Sequence, residues 1–325
     1  MKIKVFVLTI FCLCSLFQKQ GSAFSNYGEF EVGAEWLYWQ DFQDNMAYAT
    51  EVQQITGEHL TINSKALSPP FKLSNGCRVF ACYTPNEKPW TINAQLTHFS
   101  TQNSKNTGIN LENFNADFIV LNANSFPIFT LFDQFQIHFA NLDSQWSSNL
   151  NYADIDFIYP FYPRLGCVLS PHFGLRGSWM KQSLNLQGFS PQGDEDGFHI
   201  TSRFKEKYWG IGVEGGLNAS FNLGCGFSIV GAINGALLYA RIGMTQVLEF
   251  DISDFTTVNV DETIKHLTPW VDGFIGINYE GCMGCFLFNL HAGWEQHVLM
   301  NANLFPLFSS NYNLQGLTLG GSLLF

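Results

Sequence analysis

The chain has 325 residues, 46% hydrophobic, 16% aromatic and only 13% charged, with a formal net charge of −11. A soluble protein is usually about a quarter charged, and 27 acidic against 16 basic residues do not suit nucleic acid as a partner. Past the N-terminus no run of about 18 apolar residues occurs, which excludes spanning helices; 32 Phe, 11 Tyr, 8 Trp and 29 Gly without such a run fit an all-β, transmembrane antiparallel up-and-down β-barrel.

Lys2 and Lys4 precede an apolar run from Val5 to Phe17, and Gly21-Ser22-Ala23 offers small residues for cleavage. Residues 1–23 therefore read as a secretory signal peptide and 24–325 as the barrel. Phe11 and Leu13, before Cys12 and Cys14, are not the small residues that a lipoprotein signal wants. Cleavage removes Lys2, Lys4 and Lys19, leaving 13 basic and 27 acidic residues, a net charge of −14. The cysteines that remain are Cys77, Cys82, Cys167, Cys225, Cys282 and Cys285, and export places them where disulfides form.

The first expected strand runs from Glu29 to Gln40. It sets Phe30, Val32, Ala34, Trp36 and Tyr38 against Glu29, Glu31, Gly33 and Glu35. Three carboxylates on one face would be costly in a dry core, so that face is assigned to a lumen. Residues 41–70 read as a long loop with a short strand near Tyr48–Ile55. Phe71–Tyr83 and Trp90–Phe99 follow as strands joined by the turn 84–89. Residues 100–142 carry the weakest pattern, and Phe126-Pro-Ile-Phe-Thr-Leu-Phe132 reads as a loop folding into the lumen. A strand is expected within 136–158, then a turn at Tyr159–Arg164 and a strand from Cys167 to Met180. Residues 182–205 read as a loop. Trp209–Leu223 is the cleanest period-two run, turned by Gly224-Cys-Gly226 into Phe227–Arg241. An acidic loop over 243–262 leads to Leu267–Tyr279, and Gly281-Cys-Met-Gly284 turns into Phe286–Val298.

The chain ends in Asn313-Leu-Gln-Gly-Leu-Thr-Leu-Gly-Gly-Ser-Leu-Leu-Phe325, a strand with Leu317, Leu319, Gly321, Leu323 and Phe325 on one face. A terminal aromatic on an amphipathic strand fits the closing strand of a barrel. Ten strands are read, twelve if 44–55 or 112–140 adds a pair. The short turns 84–89, 159–166, 224–226 and 281–284 alternate with longer connections, which places the short turns on the periplasmic side of a bacterial outer membrane.

This reading assigns Glu31, Glu35, Arg78, Asn93, Gln95, His172, Arg176, Glu214, Asn218, Asp272, Asn289, His291 and Glu295 to the lumen. Trp36, Trp90, Trp209, Trp294 and Phe325 are assigned to lipid. Carboxylates outnumber arginines in the lumen set, so an open channel should prefer cations. The expected partners are outer-membrane lipid and small solutes or ions, with no cofactor.

Enzymatic motifs fail on context. Gly210-Ile-Gly-Val-Glu-Gly215 matches G-x-G-x-x-G but lies inside a strand with no helix after it. Cys282-Met-Gly-Cys285 sits in a β-turn, not at a helix N-terminus, and lacks a second pair for zinc. Disulfides within the chain or to neighbours, and plain reduced thiols, both remain as readings. His291 and His297 share a face with Glu295 but stand ~20 Å apart along a strand, too far for one ion. No G-x-S-x-G occurs. Cys82, Cys167, Cys225, Cys282 and Cys285 all fall in or beside short turns, which gathers them at the periplasmic end.

Trp36-Leu-Tyr-Trp39 with Asp44-Asn-Met-Ala-Tyr48, Cys77-Arg-Val-Phe80 with Trp90, Phe173-Gly-Leu-Arg-Gly177 and Tyr208-Trp-Gly-Ile-Gly212 occur in order. Ala236-Leu-Leu-Tyr239, Ala292-Gly-Trp-Glu-Gln296 and Leu314-Gln-Gly-Leu-Thr318 follow them. Together these pieces resemble the chlamydial major outer membrane protein-like porins and the related Legionella pore-forming outer-membrane family, across nearly the whole mature chain. The resemblance implies a barrel passing small hydrophilic solutes by diffusion, in an envelope cross-linked by disulfides. The chain departs from the family pattern at Phe80 and Cys82, where glycine is usual. The rival expectation is a structural or surface barrel, adhesin-like, disulfide-linked to the envelope.

Overall fold

A computed structural model describes residues 28–44, 46–56, 60–109, 117–121, 138–164, 166–191, 197–252, 255–283, 286–303 and 310–325. The expected signal peptide, the Phe126–Phe132 cluster and Cys285 lie outside the described residues. In chain order the strands are β1 (Glu29–Gln43), β2 (Ala49–Thr56), β3 (Leu60–Leu67), β4 (Leu73–Thr84) and β5 (Thr91–Gly108). Next come β6 (Asp117–Leu121), β7 (His138–Phe139), β8 (Asn141–Ile158), β9 (Phe161–Arg164) and β10 (Cys167–Ser190). The last are β11 (Phe198–Gly224), β12 (Phe227–Ile252), β13 (Phe255–Met283), β14 (Phe286–Asn303) and β15 (Ser310–Leu324).

Ten of these strands form a closed antiparallel barrel in the order β1, β4, β5, β8, β10, β11, β12, β13, β14, β15 and back to β1. The seam joins the two ends of the chain. Phe325 N–H donates to Phe30 O at 2.9 Å, and Phe30 N–H returns to Phe325 O at 3.2 Å. β9 lies along β10 as a short addition, so the turn expected at Tyr159–Arg164 carries a four-residue strand. The strands in 49–56 and 117–121 do not enter the barrel; with β3 and β7 they form a separate four-stranded sheet. From that sheet and the chain leading into it, Tyr48, Ala49, Leu67, Ile119 and Phe139 join the barrel's inner cluster, and Tyr48 Oη donates to Ser144 Oγ at 2.9 Å.

Two expected loops are strands. β10 runs on to Ser190 and β11 begins at Phe198, while β12 and β13 continue through 243–252 and 255–262. The alternation does not stop in these segments; its sense reverses. On β11 from Trp209 to Leu223, the outer face carries Trp209, Ile211, Val213 and Leu217, and the inner face carries Glu214, Asn218 and glycines. On the same strand from Phe198 to Tyr208, the outer face carries Arg203, Lys205 and Lys207, while Ile200, Phe204 and Tyr208 are buried inside. β8 and β10 repeat the inversion: Leu142, Trp146, Leu150, Met180, Leu184 and Leu186 point inward, with Asp143, Gln145, Lys181 and Gln187 exposed outside. One half of the barrel thus has a polar inside and an apolar outside; the other half has an apolar core and a polar skin.

Candidate functional site: a polar cavity closed by aromatic rings

The polar half encloses a cavity of about 360 Å³, lined by Glu35, Arg78, Asn93, Gln95, His172, Arg176, Asn218, Asp272, His291 and Glu295 among others. Period-two alternation carries these residues inward from several different strands, and barrel closure brings them together. Its lining extends to Ser220, Val230 and Asn278 near the short turns, and at the other end to Tyr152 and His297.

Two arginines organise the charge. Arg78 donates through Nη1 to Glu35 Oε2 (2.7 Å), through Nη2 to Glu295 Oε1 and Tyr152 Oη (both 2.7 Å), and through Nε to Thr97 Oγ1 (3.0 Å). Arg176 donates through Nε and Nη2 to Asp154 (2.8 and 2.9 Å) and through Nη1 to Asp272 Oδ2; its Nε also lies 2.8 Å from Glu214 Oε2. These are charge-assisted, largely bidentate pairs of the kind that suits guanidinium. His297 bridges the two groups, with Nδ1 2.6 Å from Asp272 Oδ1 and Nε2 3.1 Å from Glu295 Oε1. His291 Nε2 lies 3.0 Å from Glu35 Oε1. The two histidines therefore go to separate carboxylates.

The remaining assigned residues take smaller parts. Glu31 accepts hydrogen bonds from Asn289 Nδ2 and Ser322 Oγ. Gln95 donates to Asp154, and the Cys82 thiol donates to Asn93 Oδ1 at 3.2 Å. Phe80 also points inward; its ring lies over Gly33, where a Cβ would collide with it, so a glycine on the neighbouring strand makes the room.

Aromatic rings close the far end of the cavity. The Tyr152 ring stands 5.0 Å from Trp270, and His297 lies 4.7 Å from Trp39, which in turn is 5.9 Å from Phe99. Arg176 stacks over Trp270 at 4.6 Å and Tyr152 at 5.2 Å, and Arg78 over Trp39 at 5.5 Å. Beyond the rings, side chains bridge strands directly: Trp146 Nε1 donates to Asp41, Ser148 bonds Tyr312, and Gln43 bonds Gln182. Among the described residues this part of the barrel is a core, not a water-filled lumen. The burial of Trp39, Tyr152 and Trp270 is invisible to composition, which counts every aromatic toward the outer belt. Asp154 and Asp156 were legible: Ala153, Ile155 and Phe157 alternate with them.

Trp36, Trp209 and Trp294 are exposed on the outer face. Trp90 is half-buried just before β5, its ring 5.3 Å from Phe157, and the half-buried Phe325 packs edge-on to Phe286 at 5.7 Å. Cys82 and Cys167 lie at strand ends beside short turns, and Cys225 and Cys282 are exposed there; with Cys77 they are free thiols, so among the described residues no disulfide forms within the chain.

Solved outer-membrane barrels resemble this fold at low identity. The Escherichia coli outer membrane protease OmpT shares 9% identity and a TM-score of 0.41, covering 91% of this chain and 96% of its own. A major outer membrane protein from Thermus thermophilus shares 11% and 0.34, covering 92% and 99%. The Pseudomonas putida toluene transporter TodX shares 10% and 0.34, covering 92% and 90%. No curated protein matches the sequence. The profile described as Legionella pneumophila major outer membrane protein precursor matches residues 25–325. The chain is an outer-membrane β-barrel and belongs to the Legionella major outer membrane protein family.

Proposed function

We propose that the chain is a narrow, gated channel for small hydrophilic solutes or ions, entered through the polar cavity and closed by the Trp39–Tyr152–Trp270 rings. The charged lining of the cavity carries this reading. Buried ion pairs contribute little net stability, and apolar filling of similar volume is often as stable or more so; a wall serving only as an anchor gains nothing from them. The membrane level follows from the outer surface. From Trp209 to Phe221 the strand rises ~40 Å at roughly 3.3 Å per residue, or ~28 Å across the membrane at a tilt of ~45°, close to the usual apolar band. Lys181, Lys207, Arg241 and Lys265 stand just past that band on the outer face, so the inverted half projects beyond the membrane.

The second reading is a structural or surface barrel, favoured by the dry core of the projecting half. Planar-bilayer conductance separates them. Wild-type protein should show small, brief openings with cation preference at low salt, and Trp270→Ala should raise open time or conductance several-fold. If both proteins insert as folded barrels and both stay silent, the structural reading stands instead.

A further inference from the structure

On one side of the cavity wall, two rows of inward positions are built around glycine. Asp156 of β8 faces Gly174 of β10, which faces Glu214 of β11. In the next row His172 of β10 faces Gly216 of β11, which faces Asn234 of β12. A Cβ on Gly174 would run into the Asp156 side chain, and one on Gly216 into that of Asn234. The two glycines therefore leave a backbone floor over which the Asp156 and Asn234 side chains lean, with Glu214 and His172 as their strand neighbours. Asp156, His172 and Asn234 line the cavity, and Glu214 is held between Asp156 and Arg176.

Each of the four keeps an unsatisfied atom: Asp156 Oδ1, Glu214 Oε1, His172 Nδ1 and Asn234 Oδ1. Asp156 and Glu214 are only 7% exposed and His172 9%, so such atoms are costly without a partner. Asn234 Oδ1 is an obligate acceptor, the two carboxyl oxygens accept when ionised, and the imidazole nitrogen accepts in one tautomer. A proton shared between the facing Asp156 and Glu214 carboxyls serves those two alone, so the cradle lacks a donor for Asn234 Oδ1 and His172 Nδ1. It is also missing positive charge: Arg176 already serves Asp154, Glu214 and Asp272, Arg78 serves Glu35 and Glu295, and no other Lys or Arg lines the cavity. A divalent metal fits poorly, since among the described residues no group of three His, Cys, Asp or Glu side chains is placed to hold one.

We propose that this glycine-floored cradle binds the ammonium head of a small organic cation, whose three N–H groups go to Asp156 Oδ1, Glu214 Oε1 and Asn234 Oδ1. Each oxygen lone pair then meets a hydrogen, and the added charge offsets the two carboxylates that face each other. The alkyl remainder lies in the cavity toward the short turns. The inference goes beyond conduction and does not depend on it.

Calorimetric titration of the refolded barrel in detergent tests it, with putrescine as the probe and 1,4-butanediol as its uncharged isostere. Putrescine should bind one to one, butanediol should give no saturable heat, and calcium chloride should not displace putrescine. Asp156→Asn and Glu214→Gln should each weaken putrescine binding at least tenfold. Asn234→Leu, which leaves the ion pairs intact, should do the same if a charge variant fails to fold, with heat-modifiable gel mobility reporting folding. Asp143→Asn, on the exposed outer face of β8, should change nothing. No putrescine binding to folded wild type, undiminished binding by folded Asn234→Leu, or displacement by calcium would overturn the proposal. A barrel that binds putrescine yet never conducts keeps the site and loses the channel.

Discussion

At the scale of single residues, Asp41 lies five positions beyond Trp36, in the half of the barrel with an apolar core and a polar skin. It is fully buried, one carboxylate oxygen accepts from Trp146 Nε1 at 2.9 Å, and the other has no partner. Burial pushes its pKa up from 3.8 to about 6, with the Trp146 bond opposing. Between these values the folded chain holds a proton that the unfolded chain has released, so stability falls as pH rises from 4 through 6 and is level above. The full loss is at most about 3 kcal/mol for a shift of this size. Asp41→Asn keeps an acceptor for Trp146 and removes the charge. Urea unfolding should find the variant more stable than wild type at pH 7.5, by about 1–3 kcal/mol, and equal to it near pH 4. An advantage of the same size at both values would mean that ionisation is not the cause.

At the scale of the strand, β11 shows how one element serves two solvents. Its 27 residues keep a single alternation, yet the face that is apolar from Trp209 to Leu223 is polar from His199 to Lys207. Next to lipid the apolar face must point outward, and in water it must point inward; the strand obeys both by reversing the chemistry at a fixed phase. Single cysteines placed in a background without native thiols should show it with a membrane-impermeant reagent on protein in lipid vesicles. Positions 205 and 218 should label, and 204, 213 and 217 should not. Labelling at 204 with protection at 205 would reverse the projecting half and refute the extended strand. The same inversion is why residues 182–205 and 243–262 read as loops: their charges are conspicuous, while Leu184, Leu186, Ile200, Phe204, Met244 and Leu248 on the alternate face are scattered among them.

For the molecule as a whole, closure sets the chemistry of its two ends. The connections 85–90, 159–166, 225–226 and 284–285 lie at one end, and with them Cys82, Cys167, Cys225 and Cys282. Cys225 and Cys282 are exposed and free, at the end assigned to the oxidising periplasm. Cys225 also occupies a left-handed turn position at φ 54°, followed by Gly226 at φ 84°, the geometry of a tight hairpin turn. Disulfides to a second copy or to other envelope proteins are therefore expected rather than bridges across the barrel. Cells lysed under alkylating conditions and run without reductant should give slower bands that collapse with reductant, and Cys225→Ser with Cys282→Ser should abolish them. Persistence of the bands in the double variant would point to other thiols; no slow band at all would leave these thiols reduced.

The alternation in Trp209–Leu223, the carboxylates of β1 and the terminal strand ending at Phe325 were enough for a barrel of ten or twelve strands, and the same alternation along each strand gave the inward phase of Glu35, Arg78, Arg176, Glu214, Asp272 and Glu295; the structure decided on ten. Side-chain phase is a local property, because a strand's two faces are fixed by a period of two whatever it pairs with. What lies across the interior is not local. That Arg78 meets Glu295, 217 positions away, that Trp39, Tyr152 and Trp270 turn their rings inward to end the cavity, and that Gly174 and Gly216 let Asp156 and Asn234 lean over the backbone depend on which strands closure sets opposite one another. Periodicity says which face a residue is on; only the closed barrel decides what that face meets.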